Sequence, residues 1–398
     1  MNQEIIPLPP FALEIIEALE DEGHQTWADG GYVRNCLAQR HAGHLTFATN
    51  APTETITRLF RGRGFDAQPD PSNPFSVTIF LGTPDEKPIQ IHRFHQVIER
   101  DRTGKPLSFA HVDTIQEDLA RRDFTFNALA WHPERGLVDP YRGARDIRNA
   151  TIRCVGDARL LMSTEPLCSL RALRFASTMG FSADETTLQA LKLEAHRLPT
   201  LDALALRHQV EKLLCGPFVR ETLMDYIDVL GAILPELLPM RNFDQLSRFH
   251  CYDVLEHTAY VVSHSKAYAF NRWAALLHDT GKPETFVIDE QGRGHMPGHP
   301  EASIDHLKNV AARMRFSSQL THELELVIRH HDDRPAATEE DVRRLYANLE
   351  NNERLFHAIC DLMRADSLSK ASFCQMERVI ITNEVEELFE HMLNEGKL

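Results

Sequence analysis

Apolar and polar residues alternate differently along the chain. Phe11, Ile15, Ile16 and Leu19 fall on one face at helical spacing and Gly23 follows as a stop, so residues 11–22 read as an amphipathic helix. FSVTIFL at 75–81 alternates with β-branched residues, GTPDEKP supplies a turn and IQIHRF resumes at 89, which reads as a hairpin. After Asp146 the strand pattern fades, and LCSLRALRFASTMGF and TLDALALRHQVEKLLCG carry apolar residues at helical period. The pattern predicts an α+β chain: a small mixed domain over 1–145, a helical neck over 146–244 that ends past the Pro-rich ILPELLPMRNF, an all-α domain over 245–370, and an acidic helical tail over 371–398.

Length agrees with that division, because 398 residues exceed one ordinary core of about 100 to 200. A composition 42% hydrophobic and 25% charged is that of a globular protein with real cores. The net charge of -15 changes the picture more: such a surface repels a phosphate backbone, so contact with RNA must come from a local basic patch or a metal, and DNA is not expected as a partner. The seven cysteines form no C-x-x-C pair and their odd number speaks against a disulfide framework. No apolar run approaches the roughly 18 residues of a membrane span, and MNQEIIPLPP lacks the regions of a signal peptide. The expectation is a cytoplasmic protein with no membrane contact; the oligomeric state is not legible.

Candidate chemistry falls into two constellations. In the first, GGYVR places Gly30, Gly31 and Arg34 where backbone amides and a guanidinium could meet a triphosphate, although a tight turn with a surface arginine gives the same letters. ATNAPTE at 48–54, EDLARRDFTFNALA at 117–130, LVDPYRGARDI at 137–147 and SLRALRFASTMGF at 169–181 follow in order. Together these segments resemble the head and neck of class II tRNA nucleotidyltransferases, the CCA-adding enzymes and bacterial poly(A) polymerases. The resemblance implies a nucleotidyltransferase-type head and a tRNA-like or nucleotide partner held by Gly30, Gly31, Arg34, Arg121, Arg122, Asp123, Asn127, Arg171 and Arg174, each of which also has a structural reading.

The family's head holds two magnesium ions with an Asp-x-Asp pair and a third acid, since hard cations want oxygen ligands. Those positions align with His44, Thr46 and Gln90, and no Asp or Glu occurs between 34 and 53. The family's base-reading E-D-x-x-R aligns with Thr164, Glu165 and Cys168, so its arginine is missing too. These departures read as a catalytically degenerate head. A softer metal on His44, His92 and His95 is a further possibility, but on an ideal strand His92 and His95 face opposite sides.

The second constellation runs DVLEHT, HDTGK, GHMPGHPEAS, VIRHHDDRP and MRADSLSK, with His257, His278, Asp279, His299, His330, His331 and Asp366 in order. It resembles the HD metal-dependent phosphohydrolase superfamily over about 245–370. That implies a first metal on His257, His278, Asp279 and Asp366, and a second metal or phosphate on His299 and His330. Catalytic roles would fall to His278, Asp279 and Lys282, where Lys282 is equally a solvated helix end. His/Asp ligands accept Mn, Fe, Co, Ni, Zn or Mg, so the divalent ion is not identified.

The leading expectation from the letters is therefore a phosphohydrolase, a phosphatase or 2',3'-cyclic phosphodiesterase acting on a nucleotide or RNA 3' end, carried on a degenerate nucleotidyltransferase-like scaffold. One alternative is a CCA-adding enzyme using carboxylates from elsewhere, such as Asp70, Asp101 or Asp123. The other is a non-catalytic RNA-binding protein with a structural metal.

Overall fold

The computed structural model describes residues 6–81, 87–101, 106–246, 252–370 and 372–398, without the side chains of 372–375. The expected hairpin turn at 82–86 and the stretch 247–251 at the start of the third predicted domain lie outside the described residues. The chain divides into two compact units, one formed by Met1–Cys168 with Phe181–Glu194, the other by Ser169–Gly180 with Ala195–Leu398.

The first unit is the mixed head. Helix α1 (Pro10–Asp21) buries Ala12, Ile15, Ile16, Ala18 and Leu19, and Gly23 ends it at φ 87°. Strands β1 (Thr26–Asp29), β2 (Thr46–Thr49), β3 (Asp66–Asp70), β4 (Asn73–Phe80), β5 (Ile89–Arg93), β8 (Ala130–His132) and β9 (Gly136–Val138) form a seven-stranded sheet in the order β3-β4-β5-β2-β1-β8-β9. The expected hairpin is the antiparallel β4–β5 pair. Two further strands, β6 (His95–Arg100) and β7 (Pro106–His111), make a separate antiparallel ribbon. Trp27, Ala48, Phe94, Ile115 and Leu119 belong to one buried cluster of the head.

Register sets out the site. Asp29, the last residue of β1, pairs across the sheet with Thr46, and Thr46 pairs on its other side with Gln90 of β5. Asp29, Thr46 and Gln90 thus form one row over three neighbouring strands. The chain then turns directly from β1 into α2 (Gly30–Leu37), which requires φ 60° at Gly30, the left-handed region that favours glycine, and α3 (Thr53–Gly62) follows β2.

Among its described residues the regular structure of the second unit is helical apart from one short β pairing, Val287–Ile288 with Gly294–His295. Its HDTG turn follows the helix Ala269–Leu277 and is held by Ser303, whose hydroxyl donates to the His278 carbonyl (2.8 Å) and accepts from the Gly281 amide (2.9 Å). A Cβ on Gly281 would lie 2.6 Å from the His299 carbonyl, so this glycine allows the helix His299–Met314 to approach the turn. Among the described residues no helix is long and apolar enough to cross a membrane.

In the head, Gly143 plays the corresponding part. Its amide donates to Asp139 (2.6 Å), and a Cβ there would meet the Thr125 carbonyl at 2.1 Å, beside the turn Thr125–Asn127. Gly143→Ala is expected to cost about 1–3 kcal/mol by overpacking, read as a lower urea midpoint; an unchanged midpoint would contradict this packing.

Candidate functional site

Asp29 is the residue preceding helix α2, yet its carboxylate caps no helix amide. It turns instead into the sheet row, where Thr46 Oγ1 donates to Asp29 Oδ1 at 2.6 Å. Asp29 Oδ2 lies 3.2 Å from His92 Nε2 and is paired with Arg122 Nη2. A second carboxylate comes from Asp118 in helix α4 (Ile115–Leu119), a helix set by a capping box of Thr114 and Glu117. Asp118 Oδ2 is 3.2 Å from Arg122 Nη2 and 3.6 Å from His92 Nε2, and Asp118 Oδ1 accepts from Arg121 Nε (3.0 Å) and the His95 amide (3.1 Å).

Both acids are fully buried. Burial opposes ionisation of Asp29, but Arg122 and His92 outweigh it and hold the carboxyl well below the usual range. Burial likewise opposes ionisation of Asp118, and Arg121, His92 and Arg122 overcome it. His92 is raised despite burial, by the charges of Asp29 and Asp118. Burial, and next to it Arg121, push His95 down to about 3.

The degenerate positions now have addresses. Thr46 supports Asp29; Gln90 and His44 are exposed; Cys168 is buried; Glu165 pairs with Arg100 at 2.7 Å. The ideal-strand expectation for His92 and His95 does not hold. β5 ends at Arg93 and β6 begins at His95, and this break at Phe94 brings both imidazoles towards Asp118, with ring centroids 6.0 Å apart. Arg34 Nη1 donates to Asn127 Oδ1 (2.6 Å) and Asn127 Nδ2 to Asp123 Oδ1 (2.8 Å), a chain that ties α2 to the RRD segment. Arg171 and Arg174 lie in the other unit, the latter over the Phe175 ring at 4.5 Å. Of the alternative acids, Asp70 accepts from Ser72 within a turn, Asp101 lies just past β6, and Asp123 is engaged by Asn127; the acids grouped with His92 are Asp29 and Asp118 instead.

In the second constellation the structure brings His257, His278, Asp279, His299 and Asp366 together. His257 Nε2 is 3.1 Å from Asp366 Oδ1 and 3.4 Å from Asp279 Oδ2, and His278 Nε2 is 3.1 Å from Asp279 Oδ2. His299 Nε2 and His331 Nε2 lie 3.4 and 3.6 Å from Asp279 Oδ1. The second histidine beside His299 is thus His331 and not His330, which pairs with Asp333 at 2.9 Å. Adjacent positions at a helix end project about 100° apart, so only one of the two can face the centre.

Each of the four imidazoles directs its Nδ1 to a backbone carbonyl: His257 to Ser369, His278 to Ala275, His299 to Met296 and His331 to Ile328. That arrangement puts the N–H on Nδ1 and leaves an Nε2 lone pair facing the centre, the orientation metal-binding histidines need. His278 Nε2 is buried and makes no hydrogen bond among the described residues. Lys282 Nζ lies 2.6 Å from Asp279, and Lys370 pairs with Asp366. Burial opposes ionisation of Asp279 and Asp366, but His278 and Lys282 hold the first carboxyl low and Lys370 the second. The donor set fits a divalent ion, and a cavity of about 240 Å³ opens beside it, lined in part by Lys282, His295 and Arg334.

Comparison with known proteins follows the same two parts. Residues 26–153 match the poly A polymerase head domain and residues 250–371 match the HD domain. The CCA-adding enzyme of Geobacillus sp. (strain WCH70) is 32% identical over 244 residues, 58% of this chain and 57% of that protein. The A-adding tRNA nucleotidyltransferase of Deinococcus radiodurans is 30% identical over 265 residues, 63% and 60% of the two chains. The chain is thus similar to the class II tRNA nucleotidyltransferases in its head and carries an HD domain after it. It spans less than two thirds of the length of these relatives. The Bacillus stearothermophilus CCA-adding enzyme solved in complex with CTP shares the fold, with a TM-score of 0.67 at 21% identity over 97% of this chain and 84% of that one.

These relatives overturn the reading of the chain as a phosphohydrolase on a degenerate scaffold, because they are named as nucleotidyltransferases. The physical reason lies in the head. That reading required a site without acids, whereas Asp29 and Asp118 stand beside the positions the family's acids left. Sequence reasoning missed both: Asp29 lies outside the 34–53 window, and Asp118 sat inside a motif valued for its arginines. The HD match and the His/Asp set point to use of a divalent metal ion, whose identity they do not fix.

His278→Ala and His331→Ala are expected to lower the metal content of the purified protein, measured by plasma mass spectrometry, while His330→Ala leaves it at the wild-type level. Equal loss for both neighbours would contradict the geometry.

Proposed function

We propose that the chain is a tRNA nucleotidyltransferase, adding a nucleotide to the 3' end of a tRNA-like RNA at its head. The observation that carries this reading is the pair of buried carboxylates, Asp29 and Asp118, beside the row of Thr46 and Gln90. The relatives support it, since they are named as CCA-adding and A-adding enzymes.

In the transfer, the 3' hydroxyl forms a bond to the α-phosphorus of a nucleoside triphosphate, the α–β anhydride breaks, and pyrophosphate leaves with loss of the hydroxyl proton. Gly30 and Gly31 at the start of α2 leave room for phosphates against a helix N-terminus, which favours anions. Arg34 is fixed by Asn127 with its guanidinium beside Gly31. A divalent ion held by Asp29 and Asp118 would supply charge neutralisation at the reacting phosphate. The HD domain contributes a second metal-binding centre within the same chain.

The test is extension of a tRNA lacking its terminal CCA with labelled CTP and ATP. Wild type is expected to incorporate label, Asp29→Asn to lose at least about 100-fold, the scale of removing a charge-stabilising group, and Asp70→Ala to match wild type. No incorporation by the wild type on any such primer would sink the reading.

A further inference from the structure

In the head, Asp29, His92 and Asp118 each offer one donor atom, all within 4.8 Å of one another. We infer that these three residues form a cation site beside the Thr46 and Gln90 positions, taking a single divalent ion of the Mn²⁺ class, and that Arg122 is its stand-in cation. The inference deepens the nucleotide-transfer reading and, for its catalytic meaning, rests on it; the binding site itself does not.

Placement is the first ground. Asp29 is the cross-strand partner of Thr46, and His92 follows Gln90 by two residues on β5, the spacing that returns a side chain to the same face of a strand. A carboxylate lost from β2 is thus replaced from β1, and an acid lost from β5 is replaced by an imidazole one pleat along. Thr46 now orients the new carboxylate instead of binding the ion, since its hydroxyl holds Asp29 Oδ1 and leaves Oδ2 facing His92. Asp118 is oriented likewise by Arg121 and the His95 amide on Oδ1. Such outer contacts fix ligands in direction.

The second ground is Arg122. Its Nη2 contacts all three donors, Asp29 Oδ2, Asp118 Oδ2 (3.2 Å) and His92 Nε2 (2.9 Å), so one positively charged nitrogen occupies the centre of the set. The seat is imperfect, because Arg122 Nε is buried and finds no acceptor among the described residues. Its side chain is 18% exposed, which leaves the guanidinium a path outward. Exchange of a monocation for a divalent ion beside two carboxylates is electrostatically favourable once the ion is dehydrated. The two carboxylates suit Mn²⁺ and the imidazole suits the later transition metals, so the mixed set departs from the all-oxygen shell of Mg²⁺.

Crystals of the full chain soaked in MnCl₂ and measured at the manganese edge test the site directly. The expected result is an anomalous peak among Asp29, His92 and Asp118 with the Arg122 guanidinium turned away; manganese only in the HD domain, with Arg122 still between the carboxylates, overturns it. In solution, Mn²⁺ titration followed by paramagnetic resonance is expected to lose one equivalent in His92→Ala. Arg122→Gln should tighten the head site about tenfold by removing a competitor that binds the same state, and Arg122→Lys, which keeps the charge if the neutral variant misfolds, should stay near wild type. Unchanged affinity in a folded Arg122→Gln protein overturns the stand-in role. A head peak without labelled incorporation leaves the site standing and sinks the transfer reaction. Incorporation indifferent to His92→Ala, with no head peak, does the reverse.

Discussion

Two ionised carboxylates buried side by side need a cation between them, and the head is arranged around that requirement. Asp29 and Asp118 are both inaccessible to solvent, and Arg122 lies between them with Arg121 behind Asp118. Removing one partner from such a set typically costs about 3–5 kcal/mol, because the remaining charge stays buried without compensation. Sheet register, the break at Phe94 and the capped helix α4 each matter because they deliver one member of this set to the same point.

The second unit solves the same problem with different letters. Asp279 and Asp366 are set against Lys282 and Lys370, and four imidazoles tied at Nδ1 direct Nε2 inward. Both sites therefore combine low-lying carboxylates, nitrogen donors and a basic side chain close enough to stand in for a metal ion. The HD centre has more nitrogen donors and a cavity beside it, whereas the head site lies against the start of α2, where phosphates are favoured.

Much of this was legible in the letters. The HD set was readable because its ligands sit in recognisable clusters on helices, and only the choice between His330 and His331 needed the helix phase. The α+β organisation followed from the switch from period two to helical period. The head site was not legible, for a definite reason: Asp29 acquires its meaning only through its pairing with Thr46, a contact between strands that no local pattern records. His92 and His95 likewise share Asp118 only because the strand breaks between them. An inventory of acids within one motif window found a loss, while the sheet places a carboxylate on the neighbouring strand.

The central claim is that position 29 carries the charge that position 46 gave up. Because the two residues are cross-strand partners in contact, it is tested by exchanging them, with primer extension measured for Asp29→Thr, Thr46→Asp and the double exchange. The account predicts that Asp29→Thr alone abolishes extension and that adding Thr46→Asp to it restores a substantial part. Extension undiminished in Asp29→Thr would contradict it.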